Sequence, residues 1–161
     1  MFVRYFTELP YPLAQVEDAL LRSPAEWIPG VAEHAEDFGQ HLLADVGFGQ
    51  GTRMARQVVI DLKDPVRFPS RTVLPISWHA ADHENLYPKL EADIEVAALG
   101  PDLTQFSVSA RYQPPLGPVG KAIDKTFMHR VAEATIKDFV DEACEKLIST
   151  LGSPAGAGAA P

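Results

Sequence analysis

The chain has 161 residues, 46% of them hydrophobic and 22% charged, and a formal net charge of −8. This size and composition predict one globular domain with a core of its own. The acidic balance argues against nucleic acid as a partner and against binding to an anionic membrane surface. Cys144 is the only cysteine, so no intramolecular disulfide can form, and no apolar run predicts a signal peptide or a membrane span. The expected location is therefore the cytoplasm, without stable membrane insertion.

The first segments of the chain predict a strand followed by two short helices. The first ten residues alternate in the manner of a strand, and Pro12 then opens a helical pattern. Residues 23–26, SPAE, have the form of a capping box with proline at the first helical position. They predict a second short helix that carries Trp27 and ends near Pro29.

Five runs with a period of two follow. In each run apolar residues alternate with more polar ones, which predicts an antiparallel sheet with one dry face and one wet face. Together with the N-terminal strand, the sheet should have about six strands. The runs cover residues 44–48, 57–63, 73–79, 89–96 and 105–112.

A long helical pattern runs from Gly120 to about Leu151. About thirty residues at 1.5 Å each would reach roughly 45 Å, enough to cross the whole sheet. The pattern contains two apolar stripes, one within 119–131 and one within 132–147, rotated against each other. Either the helix kinks near 128–135, or its two halves pack against different partners.

Charged residues on this helix predict two ion pairs along its outer face. Glu133 precedes Lys137 by four residues, and Glu142 precedes Lys146 by four. This is the spacing at which oppositely charged side chains on a helix meet.

The short motifs that suggest catalysis do not have the required spacing. GPVGK at 117–121 lacks the length and the hydroxyl of a phosphate-binding loop, and GFGQGT at 47–52 precedes a strand-like run where a dinucleotide fingerprint needs a helix. HAADH at 79–83 lies in a strand end and turn, where two imidazoles need not converge on a metal. Cys144 has apolar neighbours and is interpreted as a buried structural thiol, and His129 as a surface or capping residue. No catalytic motif, metal or cofactor is therefore predicted.

The dimensions of the predicted elements favour an internal cavity. One helix about 10–12 Å wide cannot cover five strands spaced by about 4.8 Å. The space between sheet and helix is then filled either by large side chains or by a ligand, and an apolar pocket with a few polar groups is the default ligand site. The residues predicted to line it are Arg56, Val58, Ile60, Leu74, Ile76, Trp78, Ile94, Val96, Phe106, Val108, Tyr112, Phe127, Val131 and Thr135.

Arg56 is the one charged residue in this set. Strict alternation with Val58 points it inward, where an unpaired guanidinium is costly. Three interpretations remain open. A bulge after Gly51 could turn it outward, it could pair with Asp45 or Asp124, or it could bind the acidic or carbonyl end of a ligand.

The order of elements resembles that of the START-like, or Bet v 1-like, superfamily, also called SRPBCC proteins. The resemblance covers roughly residues 2–150. It rests on the element order, on Trp-Ile-Pro at 27–29, and on YQPPLGPVGKAID at 112–124 passing into TFMHRVAEATIKDF at 126–139. The polyketide-cyclase-like branch is the most similar.

The resemblance implies an α+β helix-grip fold, in which a curved antiparallel sheet wraps around the long C-terminal helix with an apolar cavity between them. Residues 1–151 would form a single START-like domain, and the small residues of 152–161 a disordered tail. Members of the superfamily bind lipids, sterols, polyketides or quinones, and a minority are enzymes. They share no catalytic motif, so no catalytic residue is carried over.

Three functions follow from this interpretation. The first is binding or carriage of an apolar or amphipathic small molecule. The second is an enzyme of the polyketide aromatase/cyclase type, in which Arg56 and Tyr112 would polarise the bound chain. The third is a protein-interaction module with a filled core.

Overall fold

The fold is known from a computed structural model of the chain, which describes residues 2–28, 41–46, 56–80, 89–113 and 125–152. Within these segments the chain forms strands and helices in the predicted order. The elements are β1 (Phe2–Leu9), α1 (Leu13–Arg22), α2 (Pro24–Trp27), β2 (His41–Val46), β3 (Arg56–Leu62), β4 (Val66–Phe68), β5 (Arg71–Ala80), β6 (Lys89–Gly100), β7 (Leu103–Gln113) and α3 (Lys125–Leu151).

The two short helices begin where the sequence predicts. Pro12 has extended backbone angles and precedes the first turn of α1, whose buried residues Val16 and Leu20 are four apart on one face. Pro24 is the first helical residue of α2. The predicted capping box is wrong in one respect, because the Ser23 side chain makes no capping hydrogen bond.

The strands form one antiparallel sheet in the order β1-β7-β6-β5-β3-β2, with β4 paired to β5 beside this path. The first strand in the chain therefore pairs with the last, with Val3 opposite Ala110 and Leu9 opposite Thr104. The path of six strands agrees with the prediction. The short strand β4 was not predicted, because its three exposed residues carry no alternation that a sequence pattern could reveal.

The C-terminal helix ends at Leu151, as predicted, and Gly152 follows it with a positive φ of 74°. The Gly152 amide donates to the carbonyl of Ile148 at 3.2 Å, which satisfies one of the last carbonyls of the helix. The disordered tail was predicted for 152–161, and this is wrong at Gly152, which terminates the helix with a defined backbone conformation. Residues 153–161 lie outside the described residues.

One of the two predicted ion pairs on α3 is present. Lys146 lies 3.4 Å from Glu142. Lys137 instead pairs with Asp141, and Glu133 with His129, also at a spacing of four residues. The predicted pair between Glu133 and Lys137 is wrong because Glu133 pairs one turn earlier, with His129, and Lys137 one turn later, with Asp141.

Candidate functional site

The inner face of the sheet is apolar across four strands. Alternation places the side chains of β5, β6 and β7 in turn on the inner and the outer face, and the inner ones are buried. This face continues from strand to strand, because Leu74 on β5 is paired with Ile94 on β6, and Ile94 is paired with Val108 on β7. Seven predicted lining residues lie on it and are buried, namely Ile60, Leu74, Ile76, Ile94, Val96, Phe106 and Val108.

The other predicted lining residues are described by backbone alone. Arg56 and Val58 lie on β3, Trp78 on β5 and Tyr112 on β7. The remaining three, Phe127, Val131 and Thr135, lie in α3. Their side chains lie outside what the structure describes, so their place in a pocket stays a prediction.

The register of β2 and β3 bears on one interpretation of Arg56. Val46 is the register partner of Arg56, whereas Asp45 stands opposite Gln57. Directly opposed residues share a face of the sheet, so this register does not favour the pair between Arg56 and Asp45. Asp124, the other suggested partner, lies outside the described residues.

One end of the inner layer is a solid core. Val96, Phe106 and Val108 have no surface that a water molecule could reach, so they pack directly against neighbouring atoms. Helix α1 lies over β6 and β7 at this end, and its Leu20 carbonyl accepts a hydrogen bond of 2.8 Å from the indole of the buried Trp27. The two short helices therefore fill this end with side chains.

Two contacts fix the course of the long helix. The Lys137 ammonium lies 5.8 Å from the ring centre of Tyr5, and the Tyr11 hydroxyl donates to the carbonyl of Gly152 at 2.6 Å. The helix therefore runs in the same direction as β1, with its C-terminus at the solid end. Its close backbone approaches are mainly to β1, β7 and the two short helices.

Two polar atoms on buried faces have no hydrogen-bond partner among the described residues. One is the hydroxyl of Thr72 on β5, which lies in register with Val96 at the solid end. The other is Nδ1 of His129 on α3, whose Nε2 lies 3.1 Å from a carboxylate oxygen of Glu133. The sequence interpretation of His129 was a surface or capping residue, and 43% of its side chain is exposed. The burial of its Nδ1 was not predicted, although His129 lies seven residues before Ile136 on the buried face of the helix.

Cys144 is buried on α3, as predicted. Its burial, with a smaller contribution from the nearby charge of Asp141, raises the pKa of the thiol to about 12. The thiolate is the nucleophilic form, so the thiol is unreactive at neutral pH.

No group of three or more metal-binding side chains occurs within the described part of the chain. Among the same residues, no helix is long and apolar enough to cross a membrane. The phosphate-loop-like GPVGK, the GFGQGT segment and His83 of HAADH all lie outside the described residues.

The outer face of the sheet is charged. Glu95 lies between Arg4 and Arg71, with nitrogen–oxygen distances of 3.9 and 3.4 Å. A shallow groove of about 100 Å³ opens on this face beside Phe2, Lys63, Asp93 and Arg111. Its lining mixes charged residues with apolar ones such as Phe2 and Pro75, so it lacks the character of an apolar pocket.

The comparisons with known proteins support the fold. No family model and no curated protein sequence matches the chain. Among solved structures, a conserved protein from Geobacillus kaustophilus is 16% identical with a TM-score of 0.65, over 93% of this chain and 97% of that one. A START superfamily protein from Mycobacterium smegmatis is 16% identical with a TM-score of 0.62, over 94% and 99%. Ara h 8.0201 is 13% identical with a TM-score of 0.56, over 92% and 98%.

These structures, the sheet order and the long C-terminal helix define one architecture. The chain has the START/Bet v 1-like, helix-grip fold, an α+β fold with an open antiparallel sheet and a C-terminal helix. The predicted fold is confirmed.

Proposed function

We propose that the protein binds an apolar or amphipathic small molecule between the inner face of the sheet and the N-terminal half of α3. The observation that carries the proposal is that the helix covers only part of the apolar inner face of the sheet. The apolar inner face extends over β7, β6, β5 and β3, whereas the helix approaches the sheet closely along β1 and β7. The strands furthest from the helix are the natural wall of a ligand site.

The proposed site lies at the end of the sheet away from the C-terminus of the helix, and the distribution of packing supports this position. Leu9, Val16, Leu20 and Trp27 are buried around the C-terminus of the helix and close that end. The opposite end holds Ile60 and Leu90, which are also buried, and the N-terminal half of α3. A ligand of the lipid, polyketide or quinone type would lie there with its apolar body against β3, β5 and β6. A cytoplasmic location remains part of this proposal.

A substitution at Ala92 separates a ligand cavity from a filled core. Ala92 is on the inner face of β6, between Ala110 on β7 and Ile76 on β5. If a cavity lies over it, Ala92→Phe should keep the protein folded and reduce binding of an apolar probe at least tenfold. If the core is filled, the added ring should lower the free energy of unfolding by about 1–3 kcal/mol or more.

The probe is 2-methoxynaphthalene, an apolar molecule without a hydrogen-bond donor, titrated by calorimetry. Native mass spectrometry of the purified protein would also detect any small molecule that copurifies with it. The control is Ala97→Phe, which adds the same ring at a position on the outer face of the same strand. Saturable one-to-one binding that Ala92→Phe weakens and Ala97→Phe does not is expected. No binding, together with a destabilised Ala92→Phe, would instead favour the interaction module with a filled core.

A further inference from the structure

His129 lies on α3 in line with the buried face of the helix, with 43% of its side chain exposed and its Nδ1 buried. Ile136 and Ala143 are fully buried and seven residues apart, a spacing that returns to nearly the same face of a helix. Seven residues before Ile136 on this face is His129. The line of buried residues therefore leads, towards the N-terminus of the helix, to an imidazole with one buried nitrogen, Nδ1.

The orientation of the imidazole follows from Glu133. The carboxylate of Glu133 can only accept a hydrogen bond, and it lies 3.1 Å from Nε2 of His129. In the neutral ring Nε2 therefore carries the proton, and Nδ1 has a lone pair that can accept a hydrogen bond. Nδ1 is buried and has no hydrogen-bond partner among the described residues. Since a buried acceptor without a partner typically costs about 1–3 kcal/mol, the arrangement calls for an explanation.

The position of His129 along the sheet follows from the course of the helix. His129 precedes Lys137 by eight residues, or about 12 Å of helix. Lys137 is beside Tyr5, and the parallel strand β1 reaches its own start at Phe2 about 10 Å from Tyr5 in the same direction. In the sheet, Phe2 is opposite Arg111. The register position one residue nearer this end of the sheet contains Leu90 on β6 and Ile60 on β3. His129 is thus level with the end of the sheet proposed as the ligand site.

We propose that Nδ1 of His129 accepts a hydrogen bond from a hydroxyl or N–H group of an otherwise apolar ligand. Glu133 is the positioning residue, because it holds the proton on Nε2 and leaves Nδ1 as the acceptor. This inference rests on the proposed function and adds a chemical requirement to it. The ligand carries a hydrogen-bond donor, such as a phenol, an enol or an alcohol, at the end that lies beneath the helix.

Two probes with the same ring system, which differ by one methyl group on the oxygen, test this requirement. 2-Naphthol has a hydroxyl group that donates, and 2-methoxynaphthalene has an ether oxygen that cannot. With the wild-type protein, calorimetry should show two- to tenfold tighter binding of 2-naphthol, the range expected for one hydrogen bond of about 0.5–1.5 kcal/mol. His129→Phe keeps a planar ring but removes the acceptor. It should abolish the preference while leaving the affinity for 2-methoxynaphthalene unchanged.

Nitrogen NMR of the wild-type protein provides a measurement that needs no variant. Nδ1 of His129 should have the chemical shift of an unprotonated nitrogen, and it should move on addition of 2-naphthol but not of 2-methoxynaphthalene. Glu133→Ala should mix the two neutral tautomers and reduce the preference for 2-naphthol, an effect that loss of packing alone would not produce.

The outcomes separate the two proposals. Equal binding of both probes, with the His129 nitrogen signals unmoved by either, would overturn the role of His129 and leave the proposed function standing. Binding of neither probe would overturn the proposed function, and the role of His129 with it. A proton on Nδ1 in the free protein would contradict the inference before any probe is added.

Discussion

The hydroxyl of Tyr11 donates a hydrogen bond of 2.6 Å to the carbonyl of Gly152, which is 141 residues away in the sequence. Tyr11 is buried, and its own carbonyl accepts a hydrogen bond of 2.8 Å from the Thr104 hydroxyl on β7. One residue thus joins the start of α1, the start of β7 and the end of α3. These contacts hold the helix at the solid end, opposite the proposed ligand site.

Removal of the Tyr11 hydroxyl should destabilise the protein without emptying its core. Tyr11→Phe keeps the ring and removes one hydrogen bond, so the free energy of unfolding should fall by about 0.5–1.5 kcal/mol in a urea titration. Amide hydrogen exchange should become faster at 148–152. The control is Tyr5→Phe, because the Tyr5 hydroxyl makes no hydrogen bond within the described segments. Equal losses in both variants would show that the contact with Gly152 contributes nothing measurable.

The backbone of Gly152 supplies a second test at the same end. Its φ of 74° lies in the left-handed region, and a Cβ atom placed there would meet nothing within 4 Å. The cost of a side chain is therefore conformational alone, and Gly152→Ala should lower the free energy of unfolding by about 1 kcal/mol. Gly152→Asn should cost less, since asparagine tolerates this region better. An alanine variant as stable as the wild type would contradict the assigned helix end.

The alternation of the sheet predicts opposite effects for adjacent residues of β7. Phe106 is fully buried on the inner face, and Gln105 is partly exposed on the outer face. Phe106→Ala should lower the free energy of unfolding by about 3–5 kcal/mol, whereas Gln105→Ala should change it by less than about 0.5 kcal/mol. Chemical denaturation of the two variants measures this directly. Similar losses at both positions would mean that the inner and outer faces are assigned wrongly.

The fold could be predicted because its signals are local and repeated. Along β6 and β7 the period of two separates buried from exposed side chains, for example Ile94 from Asp93. The two prolines at 12 and 24 mark the starts of α1 and α2 for reasons confined to their own backbone. The order of these elements then resembles one known architecture, so the fold required no knowledge of any single long-range contact.

The details that were missed depend on competition between partners. Lys137 has acidic residues four positions away on either side, at Glu133 and Asp141, and the sequence pattern does not decide between them. The environment of His129 depends on which face of α3 turns towards the sheet, and the two predicted stripes left that open. Pairing of Tyr11 with Gly152 joins distant segments that no local pattern connects.

Cys144 should make the protein lose stability at alkaline pH. Burial raises the pKa of its thiol from 9.0 to about 12 in the folded protein. Below pH 9 the thiol is protonated in both states, and its contribution to stability is fully present. Between pH 9 and about 12 the unfolded chain loses the proton and the folded protein keeps it. The free energy of unfolding should therefore fall by about 1.4 kcal/mol per pH unit across this interval.

Lysine and tyrosine side chains also titrate in that range, so the measurement must isolate the thiol. Urea unfolding of the wild type and of Cys144→Ala should be compared at pH 7, 9, 10 and 11. The alanine variant should be less stable by a constant amount up to pH 9, because it loses buried volume. Above pH 9 that difference should shrink by about 1.4 kcal/mol for each pH unit, because only the wild type has a thiol to ionise on unfolding. A difference that stays constant to pH 11 would mean that the thiol ionises as readily in the folded protein as in the unfolded chain.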